Sequence, residues 1–510
     1  MKKNIKAAVF ITMLLVILIA STVSAQYAGY YWSTSYQVMN IGTADTNIDV
    51  AYYDTNGNEV VAAHKTFQAV PKGGVRVVVQ FTDDPALTGG SYSAVVSSTG
   101  QPIAANVNQQ LIANSSSSFS PQPPFSSYNG TDSTGTSTTV TIPEVMYNWY
   151  NYYSEIFIMN ASGTPATNVD ISYTPTTING VAAGATGKTD LNNSIPKYAT
   201  IVKSQQSQSS LGAPSGTYSG RFLGSATITS DQPIVAIVNE HNVNQRKLMS
   251  YNGFAQGAPI VAVPQHLKNW YGYYGSLLIA NPSPSQTASG SITYTPDPIN
   301  LPGKSPVTVP FSVPPQSMLN RYDGPGATAQ QSDLGGFTRF IGSVQINSNI
   351  AVVVKENIEA VNPGAGQAGS YNGMAFTDAT PKIYVPMIQA DYYGYYTSLT
   401  VQNTTGAIGS CTITYYSDSQ YSDVKNQSKS YSHTLPANGS FNVYEGHGSY
   451  GTTYTGDINT DTFWRAGSGK KFIGSAIVDC GSTAAVAYVN SEKDIANADS
   501  MYTFNAINGQ

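Results

Sequence analysis

The sequence contains few charged residues. Of its 510 residues, 24 are Lys or Arg and 29 are Asp or Glu, together 10%, whereas an average soluble domain carries about 25%. With a formal net charge of −5, the chain lacks the basic surface of a nucleic-acid-binding protein, so we expect no nucleic-acid partner. Its 11% aromatic content and low net charge also exclude a disordered chain.

Cysteine is scarce as well. The chain has two, Cys411 and Cys480, which lie 69 residues apart near its C-terminal end. Each shares strand parity with apolar neighbours, so both should point into one core. We therefore predict a disulfide, which fits an oxidising compartment. Two buried free thiols are the alternative.

A single long apolar run is present, and it lies at the N-terminus. Three lysines stand in the first six residues, residues 7–20 are apolar except for Thr12, and small residues at 23–25 precede Gln26. This is the pattern of a secretory signal. We predict that residues 1–25 are cleaved and that the product is secreted, extracellular or on the cell surface, without a stable transmembrane anchor. An uncleaved anchor is the alternative, since residues 7–25 nearly span a bilayer.

Four copies of one unit fill the remainder. Tyrosine-rich segments end at Asn40, Asn160, Asn281 and Asn403, which lie 120, 121 and 122 residues apart. A Phe-Leu/Ile-Gly-Ser marker recurs at 222–225, 340–343 and 472–475, and a Ser-Tyr-Asn-Gly marker recurs at 127–130, 250–253 and 370–373. Markers in a fixed order predict tandem repeats. We place repeat 1 with a polar linker at 26–139 and the others at 140–259, 260–381 and 382–510.

Each repeat has the pattern of antiparallel strands. In repeat 4, Leu399 and Val401 alternate with polar residues, as do Cys411, Ile413 and Tyr415, which is typical of half-buried strands. About seven short strands in roughly 120 residues, separated by turn signals, indicate an immunoglobulin-like sandwich. The predicted fold class is therefore all-β, with four tandem immunoglobulin-like antiparallel β-sandwich repeats behind a signal peptide.

Repeat 1 differs at both ends. A polar stretch lies at the end of repeat 1 and contains residues 115–118, three prolines and residues 131–139. We interpret it as a linker or loop. Repeats 2 to 4 each have a candidate first strand, at 140–143, 260–264 and 383–386, but cleavage would leave only residues 26–29 before the tyrosine-rich segment of repeat 1. Its sandwich should then have an open strand position. The candidate donor strand from a neighbouring subunit contains Tyr502, Phe504 and Ile507.

Catalytic and metal-binding motifs are absent from the sequence. It contains no HExxH, CxxC or GxSxG pattern, and we assign no catalytic, cofactor-binding or metal-ligating residue and no cofactor. Aspartates at 83, 84, 457 and 461 offer oxygen ligands for calcium, although turns favour Asp without a metal. Paired carboxylates for glycoside hydrolysis need not be close along the chain, so a hydrolase stays an alternative.

The tyrosine-rich segments are the most suggestive surface feature. Adjacent tyrosines in a strand point to opposite faces, so one ring of each pair is expected at the surface, where it offers stiff contact area for sugars or neighbouring proteins. The alternative is that these rings cap the sandwich cores. The candidate surface-binding residues are Tyr152, Tyr153, Tyr273, Tyr274, Tyr395 and Tyr396.

Three segments carry a resemblance to known proteins, namely residues 392–403, residues 231–239 and residues 250–254. They resemble an uncharacterised family of secreted bacterial cell-surface proteins built from tandem immunoglobulin-like β-sandwich repeats. The resemblance covers residues 26–510 and implies an envelope or extracellular-matrix location, but no catalytic or binding residue. Repeat 4 departs at its end, where Met501-Tyr502-Thr503-Phe504 replaces the Ser-Tyr-Asn-Gly marker.

These observations predict a secreted, non-enzymatic structural protein of the cell surface, sheath, filament or extracellular matrix, with self-assembly by β-strand addition as one version. Its expected partners are copies of itself or other cell-surface components. The sparse charge favours assembly, because little self-repulsion opposes close packing. The alternatives are an adhesin or carbohydrate-binding protein that uses its tyrosine faces to bind glycans, and a secreted hydrolase.

Overall fold

The computed structural model describes residues 12–15, 30–87, 90–113, 124–242, 244, 247–328, 331–361, 367–446, 455–464, 469–493 and 501–509. The chain forms antiparallel strands almost throughout, which confirms the predicted all-β class. We describe it as four modules that correspond to the four sequence repeats. Apart from residues 12–15, the predicted leader lies outside the described residues.

The elements of modules 1 and 2 follow the repeat order. Module 1 contains β1 (Thr12–Leu15), β2 (Tyr30–Asn40), β3 (Thr46–Tyr53), β4 (Lys65–Val70), β5 (Val75–Val79), α1 (Gln80–Asp83), β6 (Ser93–Ser98), β7 (Ile103–Ala113), β8 (Phe125–Asn129) and β9 (Thr131–Asp132). Module 2 contains β10 (Ser137–Tyr147), β11 (Tyr152–Asn160), β12 (Ala166–Pro175), β13 (Thr177–Ile178), β14 (Val181–Ala182), β15 (Lys188–Ile195), β16 (Thr200–Ser204), β17 (Phe222–Asn242) and β18 (Lys247–Asn252).

Modules 3 and 4 repeat this order. Module 3 contains β19 (Ala258–Lys268), β20 (Tyr273–Ala280), β21 (Ala288–Pro296), β22 (Val307–Val313), β23 (Met318–Tyr322), β24 (Phe340–Ala360), β25 (Ala368–Asn372) and β26 (Met374–Ala375). Module 4 contains β27 (Lys382–Ala390), β28 (Tyr395–Asn403), β29 (Gly409–Ser417), β30 (Ser428–Leu435), β31 (Ser440–Tyr444), α2 (Asp457–Thr460), β32 (Phe472–Asp479), β33 (Ala485–Lys493), β34 (Met501–Asn505) and β35 (Ile507–Asn508). Short 3₁₀ turns lie at Val61–Ala63, Ser133–Gly135, Gln205–Ser207, Ser209–Leu211 and Phe376–Asp378.

Each module has two layers of strands around a core. In module 4 the layers have the orders β30-β29-β32-β27-β35 and β31-β28-β33-β34, and module 1 has the corresponding orders β4-β3-β6-β1-β9 and β5-β2-β7-β8. In modules 2 and 3, the 21-residue strands β17 and β24 run through both layers. The period-2 alternation predicted for Cys411, Ile413 and Tyr415 is present, because all three are buried in the module 4 core.

The four closing asparagines hold the same loop in each module. All four are buried. Asn160 donates through Nδ2 to the backbone oxygens of Thr164 and Ile195 at 2.7 and 3.1 Å, and its Oδ1 accepts from the backbone N–H of Ser162 at 2.9 Å. The same three kinds of bond are made by Asn40, Asn281 and Asn403. A buried amide with all its partners satisfied explains why this residue recurs.

The modules close into a ring around one axis. The marker strands, one from each module, contact each other in the circular order β8, β18, β25, β34 and back to β8. Apolar side chains cross every boundary: Phe157 and Met159 join the module 1 core, Leu278 and Val353 pack with Met146 and Leu223 of module 2, Met501 joins the module 3 core, and Ile477 packs on Met39 and Val75 of module 1.

A cyclic set of hydrogen bonds lies where the marker strands meet. The side-chain amide of each marker asparagine donates to the backbone oxygen of the corresponding asparagine in the preceding module. The four bonds run from Asn129 to Asn505 (2.6 Å), from Asn505 to Asn372 (2.5 Å), from Asn372 to Asn252 (2.8 Å) and from Asn252 to Asn129 (2.8 Å). We call these four residues the asparagine ring.

Two sequence interpretations are wrong at this level. Thr503-Phe504-Asn505-Ala506 occupies the place of Ser-Tyr-Asn-Gly in module 4, so the repeat does not lose its marker but carries a close variant of it. The polar stretch 131–139 is not a linker, since it holds β9, a 3₁₀ turn capped by the Asp132 side chain and the start of β10. Residues 115–118 lie outside the described residues.

Candidate binding site

The six tyrosines chosen from the sequence are not the most exposed rings. Tyr152 and Tyr396 are buried, with 8% and 6% of their surfaces accessible, and Tyr153, Tyr273, Tyr274 and Tyr395 are half-buried. The strand alternation does turn neighbouring rings to opposite sides. The outer side of these strands, however, is covered by the preceding module, since Phe157 joins the module 1 core and Leu278 packs against module 2. The repeat pattern does not reveal this contact.

Three of the six contact the next module. Tyr152 donates from its hydroxyl to Glu359 at 2.6 Å, and Tyr273 donates to Glu492 at 2.9 Å. At the boundary with module 1, the Tyr395 ring lies 5.9 Å from that of Phe125. These tyrosines therefore bind the modules to one another.

The exposed rings belong to the preceding turn. Tyr150, Tyr271 and Tyr393 have 61%, 46% and 62% of their surfaces accessible. Each is the first residue of a two-residue hairpin loop. The residues on either side of the loop form an antiparallel backbone bridge, for example Trp149 with Tyr152. Both loop residues have positive φ, for example 52° at Tyr271 and 85° at Gly272, which is the type I′ geometry.

Tyrosine is an unfavourable residue for this position. A type I′ turn favours Asn or Gly, and a side chain other than Gly in the left-handed region costs on the order of 1–3 kcal/mol. The same strained residue recurs in three modules, with φ of 49°, 52° and 51°. Because this strain recurs at an exposed aromatic residue, these turns are the candidate functional site.

Each exposed ring is framed by an aromatic residue and a cation. The Tyr271 ring stands edge-on to Trp270 at 5.4 Å, and the Arg339 guanidinium lies 4.8 Å from its centroid. In module 2 the corresponding set is Trp149, Tyr150 and Arg221, and in module 4 it is Tyr392, Tyr393 and Lys471. We call these three sets the aromatic tips.

The aromatic tips share one end of the molecule. They occupy equivalent turns of modules whose marker strands surround a common axis, so they face the same direction. Burial, and then the neighbouring Tyr393, raise the pKa of Tyr392 to about 12. Aromatic rings with a nearby cation offer stacking faces and a weak attraction for anionic groups.

The sequence contained a signal for these tips that the strand argument missed. Within each tyrosine-rich segment, Tyr150 is followed by Asn151, and Tyr271 and Tyr393 are followed by glycine. Asn or Gly after an aromatic residue marks a hairpin turn inside the segment. A basic residue stands immediately before each Phe-Leu/Ile-Gly-Ser marker, and these residues supply the cations.

The proposed donor strand is part of module 4. Tyr502 and Phe504 lie in β34, which pairs with β33, and both are about 1% exposed. Ile507 lies in β35, which pairs with β27, and it packs at the boundary with module 1. The expectation of a free C-terminal donor strand is therefore wrong, because these residues complete their own module.

The cysteines and the acidic residues serve structural contacts. Cys411 and Cys480 form a disulfide in the buried core of module 4. Asp461 accepts from Tyr431 at 2.6 Å and pairs with Lys429 at 2.5 Å, and Asp457 accepts from Tyr415 at 3.0 Å. Asp84 pairs with Lys65 at 2.5 Å. Among the described residues no group of three or more His, Cys, Asp or Glu side chains is arranged to hold a metal ion.

One histidine lies inside the protein between two acidic side chains. His266, which is fully buried, lies 2.8 Å from Glu356 and 3.1 Å from Asp323. Burial opposes its protonation, but the two carboxylates outweigh this effect and raise the pKa of His266 to about 10. Burial also opposes ionisation of Asp323, but the hydrogen bond from His266 outweighs it, so the pKa of Asp323 is lowered. For Glu356 burial is the larger effect, and the pKa of Glu356 is raised. With side chains at 0% exposure, this group is a buried ion cluster.

No helix among the described residues has the length and apolar character needed to cross a membrane. No family model and no curated protein matches the chain. A solved structure of glycoside hydrolase family 32 from Bifidobacterium adolescentis aligns at 8% identity over 98% of this chain and 96% of that chain. Its TM-score is 0.15, which is too low to indicate a shared fold, so this similarity carries no argument about function.

Proposed function

We propose that the protein is an exported, non-enzymatic structural component of the cell surface or extracellular matrix, built from four immunoglobulin-like modules. The observation that carries the proposal is the closed ring, in which apolar side chains and the asparagine ring join every pair of neighbouring modules. A closed ring holds its modules in fixed positions, because no module can move without breaking two boundaries. Such an object is suited to a static role in an assembly.

Localisation and shape test this proposal together. Antibodies against residues 26–510 should label the surface or matrix of intact producing cells, and N-terminal sequencing of that material should begin after the leader. Electron microscopy of the purified protein should show four-lobed rings, alone or in a regular array. Label confined to the cytoplasm would contradict the proposal, as would hydrolysis of a glycan or peptide in a broad activity screen.

The aromatic tips favour a second candidate function, adhesion to glycans or other surfaces. Three exposed rings at one end of a rigid ring can bind a repetitive ligand at several points, which raises the overall affinity without stronger single contacts. A glycan array and a binding assay on extracted matrix material provide the test. The absence of binding to both would reject adhesion and leave the structural proposal intact.

A matched variant separates binding from stability. The triple variant Tyr150→Asn, Tyr271→Asn and Tyr393→Asn should bind at least tenfold more weakly, while its free energy of unfolding stays the same or rises, because Asn suits the turn. The control replaces an exposed apolar residue beyond the opposite end of β28 from Tyr393, Ile408→Asn, whose exposure is 74%. Equal loss of binding in the control would contradict a role for the tips.

A further inference from the structure

Module 1 obtains its first strand from the predicted leader. β1 (Thr12–Leu15) pairs antiparallel with β6 on one side and with β9 on the other. In this register Met13 lies opposite Val96 and Leu15 lies opposite Ala94. The strand therefore occupies an internal position of the five-strand layer, not an outer edge.

The other three modules fill this position with their own residues and in the same register. In module 2, Val140 and Ile142 lie opposite Ile228 and Ala226. The corresponding pairs are Val261–Ile346 and Val263–Val344 in module 3, and Ile383–Val478 and Val385–Ala476 in module 4. Each segment ends in proline, at Pro143, Pro264 and Pro386, where the register shifts and no ladder hydrogen bond is needed.

Removal of the leader leaves this position of module 1 without a strand. The described chain of module 1 after residue 15 begins at Tyr30 in β2, which belongs to the other layer. Within the described part of the chain, β6 would then keep β3 as its one partner, and β9 would have no strand to pair with. Unpaired backbone groups beside core residues such as Val50 and Val96, which are 0% exposed in the complete layer, favour the uptake of another strand.

We propose that the gap between β6 and β9 of the mature protein is an acceptor site for an extended segment of another polypeptide. The segment would carry aliphatic residues at two alternate positions followed by proline, and it would lie antiparallel to β6. A second copy is not the expected donor, since its own first strands are engaged and their inward residues, such as Val140 and Ile142, are buried. The inference rests on the proposed function in one respect, namely that export removes the leader.

A synthetic peptide with the sequence of residues 137–143 tests the site. It should bind residues 26–510 saturably with one peptide per chain, and it should slow hydrogen exchange in Ser93–Ser98 at least tenfold. The control peptide, with aspartate in place of both Val140 and Ile142, should neither bind nor protect. The chain that retains residues 1–25 should also fail to bind, because β1 occupies the site.

A second variant covers the case in which module 1 unfolds without its strand. Residues 137–143 are fused ahead of Gln26 through a glycine–serine linker. This variant should show protection of Ser93–Ser98 without added peptide and should not bind peptide. Protected β6 amides in unliganded residues 26–510, or equal binding of both peptides, would overturn the inference.

The two proposals fail in different ways. Exported, leader-free protein that binds no peptide contradicts the acceptor site and leaves the structural role standing. Protein that is found only inside the cell with its leader intact contradicts the structural role, whatever the peptide does in vitro.

Discussion

The ammonium group of Lys355 lies 4.0 Å from the ring centroid of Tyr251, across the boundary between modules 3 and 2. The same group lies 2.6 Å from Glu144 and 2.5 Å from Glu240 in module 2. Burial, then the second carboxylate, raise the pKa of Glu240, and Lys355 opposes that shift. One lysine thus pairs with two buried acidic side chains of the neighbouring module.

The boundary between modules 4 and 3 has an aromatic pair at the corresponding position. The Tyr488 ring stacks on Tyr371 with centroids 3.9 Å apart. The two boundaries therefore differ in chemistry although they join equivalent strands. A module without a cation at this position would leave the acidic side chains of module 2 uncompensated, so the contact favours module 3 as the neighbour of module 2.

The substitution Lys355→Met should destabilise the ring strongly. It removes the cation that pairs with the buried side chains of Glu144 and Glu240, and breaking a buried pair in this way costs about 3–5 kcal/mol. Chemical denaturation should show this loss. The control is Lys382→Met, whose pairing with Asp479 at 3.7 Å is largely exposed and should contribute less than about 1 kcal/mol. Similar losses in both variants would contradict the assignment of a buried cluster.

The stability of the protein should fall as the pH rises from neutral towards 10. His266 has a folded pKa of about 10 against an ordinary value of 6.5. Its contribution is therefore complete below pH 6.5 and is lost as the pH rises through 10. His266→Gln should flatten this part of the stability curve, whereas His64→Gln, at an exposed position, should not. An unchanged slope in the His266 variant would reject the cluster as its source.

Removing one member of the asparagine ring should weaken the centre of the molecule. Asn252→Ala deletes the amide that donates to Asn129, and it deletes the oxygen that accepts from the Asn129 backbone at 3.2 Å. The expected loss is about 1–3 kcal/mol, because partly buried partners stay unsatisfied. Asn300→Ala, at an exposed position, is the control. Hydrogen exchange should accelerate in the marker strands of the first variant only.

Reduction should affect module 4 first. Replacing Cys411 and Cys480 by alanine should lower the free energy of unfolding by about 2–5 kcal/mol, since the disulfide restricts the unfolded chain. A reducing agent should produce a comparable loss in the natural protein and none in the double variant. Unfolding curves of the natural protein that do not respond to the reductant would show that the disulfide does not contribute.

The sequence by itself determined the all-β class and the positions of many strands. These features depend on turn residues and on period-2 alternation, both of which act over a few neighbouring residues. The shared inward parity of Cys411 and Cys480 predicted the disulfide for the same reason. The strand expected at 440–444 is present as β31 (Ser440–Tyr444).

The tertiary structure decided how the modules meet and which tyrosines stay exposed. The ring joins residues more than 100 positions apart, such as Lys355 with Glu240, and no local pattern predicts those contacts. Ring closure covers Tyr152 and Tyr273 and leaves the strained turn tyrosines in solvent. Tyr502 and other C-terminal residues lie inside module 4, where they complete its strands. The small number of charged residues can be read from the sequence alone. Which of these charges are buried, and which cations lie beside the exposed rings, is determined by the long-range packing.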